Sequence, residues 1–150
     1  MTSSMSDASA FLLEHGIRPS YQRLRIWDYL AGTKEHPSVE TIYRSLAPEI
    51  PTLSRTTVYN SLSLFIEKGI AQPILIEETE TRYDADTSPH GHFRCRVCGR
   101  VYDFPLAKGD ASGGLEPRLP AGFRAELVQL CCQGVCAGCA SADSALGLKE

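Results

Sequence analysis

The stretch Ser54-Arg55-Thr56-Thr57-Val58-Tyr59-Asn60-Ser61-Leu62-Ser63-Leu64-Phe65-Ile66-Glu67-Lys68-Gly69 decides the fold. Ser54 reads as a helix N-cap, because its hydroxyl can accept an otherwise unpaired amide of the first turn. Val58, Leu62, Phe65 and Ile66 recur at helical spacing and make one apolar face, and Gly69 ends the helix. Thr56, Tyr59, Asn60 and Ser63 face the other way, with Arg55 at the N-terminal end. Those residue types suit the edges of bases. Arginine pairs with guanine or phosphate, asparagine pairs with adenine, and threonine and tyrosine offer apolar contact to thymine methyls. The same polar face would also suit a solvated helix over a core.

Two further helices precede this one. Pro19 and Ser20 start the first, on which Tyr21, Leu24, Trp27, Leu30 and Ala31 recur at helical spacing. Pro37 and Ser38 start the second, with Val39, Ile42, Tyr43 and Leu46 as its apolar set. A short opening helix is expected at about Ala8 to His15. After Gly69 the period changes. Ala71 to Ile76 is apolar and partly β-branched, Glu77 to Thr81 is a polar turn, and Arg82-Tyr83-Asp84 resumes an extended run, so a β-hairpin is expected. Three helices followed by a hairpin describe a winged helix-turn-helix, whose third helix enters the DNA major groove.

Charge tempers that reading. The chain of 150 residues carries a net charge of −3. Residues 1 to 76 hold seven Lys/Arg and seven Asp/Glu, so the candidate DNA-binding part is neutral. A positive patch must be local, with Arg18, Arg23, Arg25 and Arg55 as candidates, and non-specific affinity modest.

The second half carries different chemistry. Asp86 to Pro89 reads as a linker. Beyond it, Cys95 and Cys98 form one Cys-x-x-Cys pair and Cys136 and Cys139 another, a set that can close a tetrahedral zinc shell. His90 and His92 precede the first pair on an extended segment, where alternate residues share a face. That implies a second, nitrogen- and oxygen-rich metal site beside the sulfur one. Strands are expected at His92–Arg94, Arg100–Phe104 and Arg124–Cys132, with a Gly-rich stretch from Gly109 to Gly122. Cys131 and Cys132 point to opposite sides of their strand and read as small apolar strand residues.

No apolar run is long enough to span a membrane. The polar start, Met1 to Asp7, is unlike a signal peptide, so a cytoplasmic setting is expected, where paired cysteines mean metal or redox chemistry.

The chain resembles the ferric uptake regulator family of metal-dependent transcription factors. The resemblance rests on Tyr21-Gln22-Arg23, His36-Pro37-Ser38 through Ile42-Tyr43, Ser54 through Asn60, Arg82-Tyr83-Asp84, His90-Gly91-His92 through Cys98-Gly99, and Gly134-Val135-Cys136 through Cys139. It implies an α/β chain: a winged-helix domain at 1–84, a hinge at 85–89, an α/β dimerisation and metal-binding domain stapled by zinc at 90–140, and a flexible tail at 141–150. It implies structural Zn(II) on Cys95, Cys98, Cys136 and Cys139, and regulatory Fe(II) or Mn(II) on His36, Asp84, His90, His92 and Asp103. Double-stranded DNA, as a palindromic AT-rich operator, and a homodimer are the implied partners. Arg23, Arg55, Thr56, Thr57, Tyr59, Asn60 and Ser63 are the implied DNA contacts.

Asp103 refines the expectation. Iron-sensing members usually carry glutamate there, whereas peroxide-sensing members usually carry aspartate. In that branch two ligand histidines, here His36 and His90, gain an oxygen and DNA is released. Val128 stands where many iron sensors place a histidine of a further metal site, and Asp110 alone is a poor ligand set, so that site is expected to be missing. An iron- or zinc-responsive uptake repressor is the alternative within the family. A zinc hydrolase lacks its usual glutamate and nucleophile here, so no enzymatic activity is expected.

Overall fold

A computed structural model gives the fold and describes residues 4–107 and 117–145. The chain divides into two compact units, Met1–Thr87 and Ser88–Glu150.

The first unit is helical, with a small hairpin. Helix α1 (Met5–Glu14) begins three residues earlier than the periodicity predicts, because Ser4 and Asp7 form a reciprocal capping box. Helix α2 (Tyr21–Ala31) is capped by Ser20, and α3 (Val39–Leu46) by Ser38. Helix α4 (Arg55–Glu67) starts where the Ser54 hydroxyl accepts the Thr57 amide at 3.1 Å. It stops at Gly69, whose φ of +75° lets the Ile70 amide turn back to the Phe65 carbonyl at 3.0 Å. A side chain at that φ would strain the turn. Buried Ile70 follows this turn into the core.

Ile26, Trp27 and Leu30 of α2, Ile42 and Leu46 of α3, and Val58, Leu62 and Phe65 of α4 form that core with Leu12 and Ile17. Trp27 meets Phe65 edge-on, with centroids 5.5 Å apart, and stacks on Phe11 at 5.0 Å. One expectation fails here. Tyr21 fits the helical period of α2 yet is 53% exposed, and Ile26 is buried on that helix. The first residue of a helix overhangs the core, so period alone overstates its burial.

Strands β1 (Gln72–Ile74) and β2 (Arg82–Asp84) pair antiparallel, Gln72 opposite Asp84 and Ile74 opposite Arg82. The hairpin is tied back to the segment before α3. The Tyr83 amide donates to the Pro37 carbonyl at 3.0 Å, and Arg82 Nη1 donates to the His36 carbonyl at 3.3 Å.

The second unit holds a three-stranded sheet in the order β4–β3–β5. Strand β3 (Gly91–Cys95) runs antiparallel to β4 (Val101–Phe104) and parallel to β5 (Cys131–Gly134). The predicted strand at Arg124–Cys132 is thus displaced: pairing begins only at Cys131, and Arg124 to Leu130 run outside any strand. The apolar residues Leu127, Val128 and Leu130 imitate a strand, but the ladder with β3 opens only at the end of this stretch, where the Leu130 carbonyl accepts the His92 amide at 3.0 Å. Helix α5 (Ala137–Ala145) follows the last cysteine turn and takes in the first part of the expected tail. Asp110 and most of the Gly109–Gly122 stretch lie outside the described residues, as do 146–150. Among the described residues, no helix is long and apolar enough to cross a membrane.

Candidate metal centres and nucleic-acid face

Cys95 ends β3, and the Cys95 amide donates to the Arg100 carbonyl at 2.9 Å across the turn that carries Cys98. Cys136 and Cys139 sit where β5 gives way to α5. The four sulfurs lie within 4.8 Å of one another, and Cys98 Sγ is 3.9 Å from Cys136 Sγ. A zinc ion at about 2.3 Å from each sulfur would hold them roughly 3.8 Å apart, so the donor set fits zinc in number, type and spacing.

The thiol protons point the same way. The backbone amides of Cys98 and Cys136 hold the Cys95 thiol down at about 6. The Cys139 amide and the Tyr102 hydroxyl hold Cys136 below the usual thiol range. Cys139, beside Cys136, is pushed up to about 12. Clustered thiols cannot all ionise without a cation, and a divalent ion removes that penalty. Cys131 and Cys132 take no part. They begin β5 as the expected strand residues, and both are exposed.

Each unit holds one group of the expected histidine and aspartate ligands. In the first unit, His36 is buried and adopts φ +52°, a left-handed conformation in a residue that precedes a proline. Non-glycine residues hold that conformation at a cost of about 1–3 kcal/mol, which the surrounding contacts must offset. The clamp of Arg82 and Tyr83 on residues 36 and 37 supplies them. His36 Nδ1 lies 3.6 Å from Asp84 Oδ2. The other Asp84 oxygen accepts the Asp86 amide at 2.8 Å, which fixes the carboxylate plane.

In the second unit, His92 stands opposite Asp103 in register. Asp103 Oδ1 lies 3.5 Å from Nε2 of both His90 and His92. The two rings are 4.5 Å apart between centroids. His90 Nδ1 meets the Ser88 carbonyl at 2.7 Å. Nδ1 is then the donor, and Nε2 keeps the lone pair a metal needs. Gly91, between these histidines, packs under the Phe104 ring, where a Cβ would collide with three ring carbons. Imidazoles and carboxylates at these spacings fit a borderline divalent ion such as Fe(II), Mn(II) or Zn(II). His15 belongs to neither group, and its Nδ1 meets the Phe11 carbonyl at 2.9 Å.

The outer face of α4 follows the expected wheel. Val58, Leu62 and Phe65 are buried, Arg55, Thr56, Tyr59 and Asn60 are exposed, and Thr57 and Ser63 are half-buried. The positive patch is thinner than expected. Arg25 pairs with Glu49 at 2.7 Å, and Arg55 pairs with Glu40 at 2.6 Å. Arg23 donates to the Arg18 carbonyl at 2.8 Å. Sequence reasoning missed Glu40, the Ser88 carbonyl and Gly91. Only Glu40 left a signal, its spacing of four from Arg44 on one helix.

A profile of the ferric uptake regulator family matches residues 14–112. The chain is similar to the peroxide operon regulator of Bacillus subtilis (strain 168), at 32% identity over 140 residues, covering 93% of this chain and 96% of that one. It is similar in structure to the peroxide-sensing gene regulator PerR of Streptococcus pyogenes, at 28% identity and a TM-score of 0.51, covering 91% of this chain and 93% of that one. A zinc-bound manganese uptake regulator matches at 26% identity and a TM-score of 0.61, covering 89% and 98%. With the family profile spanning residues 14–112 and a relative 32% identical over nearly its whole length, this chain belongs to the ferric uptake regulator family.

Proposed function

We propose that the chain is a metal-dependent, DNA-binding transcriptional repressor that senses peroxide through oxidation of its ligand histidines. One observation carries the peroxide reading. The short carboxylate of Asp103 lies 3.5 Å from both His90 and His92, in a chain similar to a peroxide operon regulator.

In this reading Cys95, Cys98, Cys136 and Cys139 hold a permanent Zn(II) that staples the second unit. His36 and Asp84 from the first unit join His90, His92 and Asp103 from the second around one regulatory ion. Ligands drawn from two units favour a single arrangement of them, so occupancy shifts the population toward it. Two copies then present two α4 helices to a palindromic duplex. Arg23, Arg55, Thr56, Thr57, Tyr59, Asn60 and Ser63 are its contacts. Bound Fe(II) would supply the one-electron chemistry that peroxide needs to become an oxidant. His36 or His90 then gains one oxygen on the ring while the other peroxide oxygen leaves as water. The altered imidazole is a poorer ligand, the clamp opens, and DNA is released. The protein is expected to work in the cytosol and to perform no turnover.

The test is operator binding by the Fe(II) and Mn(II) forms, before and after a brief pulse of dilute peroxide, followed by peptide mass spectrometry. Loss of DNA by the iron form alone, with one oxygen on the His36 or His90 peptide, is expected. If both forms hold DNA with unmodified histidines, the protein is instead a metal-uptake repressor. Similarity to the manganese uptake regulator supports that second reading.

A further inference from the structure

Arg55 is held on two sides. Its Nε and Nη2 donate to Glu40 Oε2 and Oε1 at 2.6 and 2.9 Å. Its guanidinium carbon lies 4.2 Å from the centroid of the Tyr43 ring. Glu40 is itself fixed by a second cation, accepting from Arg44 Nε at 2.8 Å. Glu40 and Tyr43 lie on α3 and Arg55 opens α4, so the contact joins two helices of one unit. All of this stands at the surface: the Arg55 side chain is 58% exposed. Exposed arginines are ordinarily mobile and their ion pairs weak. A planar fork gripped along one edge and covered on one face keeps few orientations.

We propose that Glu40 is the positioning residue for a base-reading Arg55, with Tyr43 as its platform and guanine as the base it reads. The inference rests on the DNA-binding reading above. The ion pair occupies the Nε–Nη2 edge and leaves the Nη1–Nη2 end of the fork for a partner. That end matches the O6 and N7 acceptors of guanine in the major groove. Ordering the fork before binding lowers the entropy lost on contact. The carboxylate also cancels the charge of Arg55 and repels phosphates nearby. An arginine meant for the backbone gains nothing from such a partner, whereas one meant for a base gains discrimination at the expense of non-specific attraction.

The test starts with the full-length Mn(II)-loaded protein and a pool of randomised duplexes, from which the wild type selects its sites. Affinities are then measured for the selected duplex, for single-base changes at each of its G·C pairs, and for a random duplex, over a range of salt. The wild type, Glu40→Gln and Glu40→Asp are compared, with circular dichroism melting as the check on folding. One G·C pair per half-site is expected at which replacement weakens wild-type binding by roughly 10- to 100-fold. In Glu40→Gln that penalty should shrink to about threefold or less, while random-duplex binding tightens and its salt slope steepens by about 0.9 per protomer. Glu40→Asp keeps the charge but cannot span both nitrogens, and should lose the penalty with the slope unchanged. If both variants keep the full penalty, Glu40 is only an electrostatic shield and the proposal is wrong. If the wild type selects no duplex at all, the DNA-binding reading fails first, and this proposal with it.

Discussion

Gly91→Ala is the most telling single substitution, because it adds one methyl between two candidate metal ligands and nowhere else. The new Cβ would meet Phe104 Cζ and both Cε carbons, the most distant of them at 2.9 Å. Either the ring swings out or β3 shifts against β4. Overpacking of this kind costs about 1–3 kcal/mol. Phe104 is half-buried at the end of its strand and can yield, which favours the lower half of that range. Alanine also narrows the unfolded ensemble, worth about 0.4–1 kcal/mol in the opposite sense. The net expectation is a loss of about 0.5–1.5 kcal/mol. A double-mutant cycle with Phe104→Ala isolates the collision, since without the ring Gly91→Ala should be neutral or mildly stabilising. The single tryptophan, Trp27, lies in the first unit and is blind to this event. Amide hydrogen exchange at Phe93 and Arg94 of zinc-loaded protein reads the right strand. A coupling free energy below about 0.3 kcal/mol would refute the packing argument. Mn(II) affinity should fall in Gly91→Ala and recover partly in the double variant, because His90 and His92 flank the displaced residue.

Other expectations follow from separate parts of the molecule. Phe65→Ala removes a ring with no exposed surface and should cost about 3–5 kcal/mol in urea unfolding followed by Trp27 fluorescence. Cys95→Ser should release zinc to a chromophoric chelator and abolish amide protection throughout β3, while the α4 amides stay protected. The Arg55 side chain beside Glu40 holds its carboxyl at about 2, below the ordinary value of 4.5. A lowered folded-state value means the stabilisation is complete above pH 4.5 and lost as pH falls towards 2. Carboxyl NMR titration should therefore show Glu40 protonating well below the ordinary glutamate value, and Arg55→Ala should raise it, with Arg44 still holding it down in part.

Much of the fold was legible in the chain because its signals are local. Ser20, Ser38 and Ser54 each cap the helix they announce, since a cap needs only its own first turn. Val58, Leu62 and Phe65 share a face because helical period alone puts them there. The Cys-x-x-Cys spacings announced a four-sulfur cluster, and the sulfurs do converge. What failed depended on partners distant in sequence. Tyr21 is exposed because the first residue of α2 overhangs the core, and the stretch before Cys131 is no strand because the β3 ladder reaches back only to the Leu130 carbonyl. The state of each functional group was likewise a tertiary matter. Local sequence named Arg55, but the carboxylate that grips it comes from another helix. The family resemblance named His36, but the left-handed backbone that presents it is held by Arg82 and Tyr83, 46 and 47 residues later. Local sequence named His90, and the Ser88 carbonyl that decides which ring nitrogen carries the proton emerged only with the fold. Residue types and spacing determine which chemistry is available. Orientation, charge and proton position are set by neighbours that only the folded chain brings within hydrogen-bonding distance.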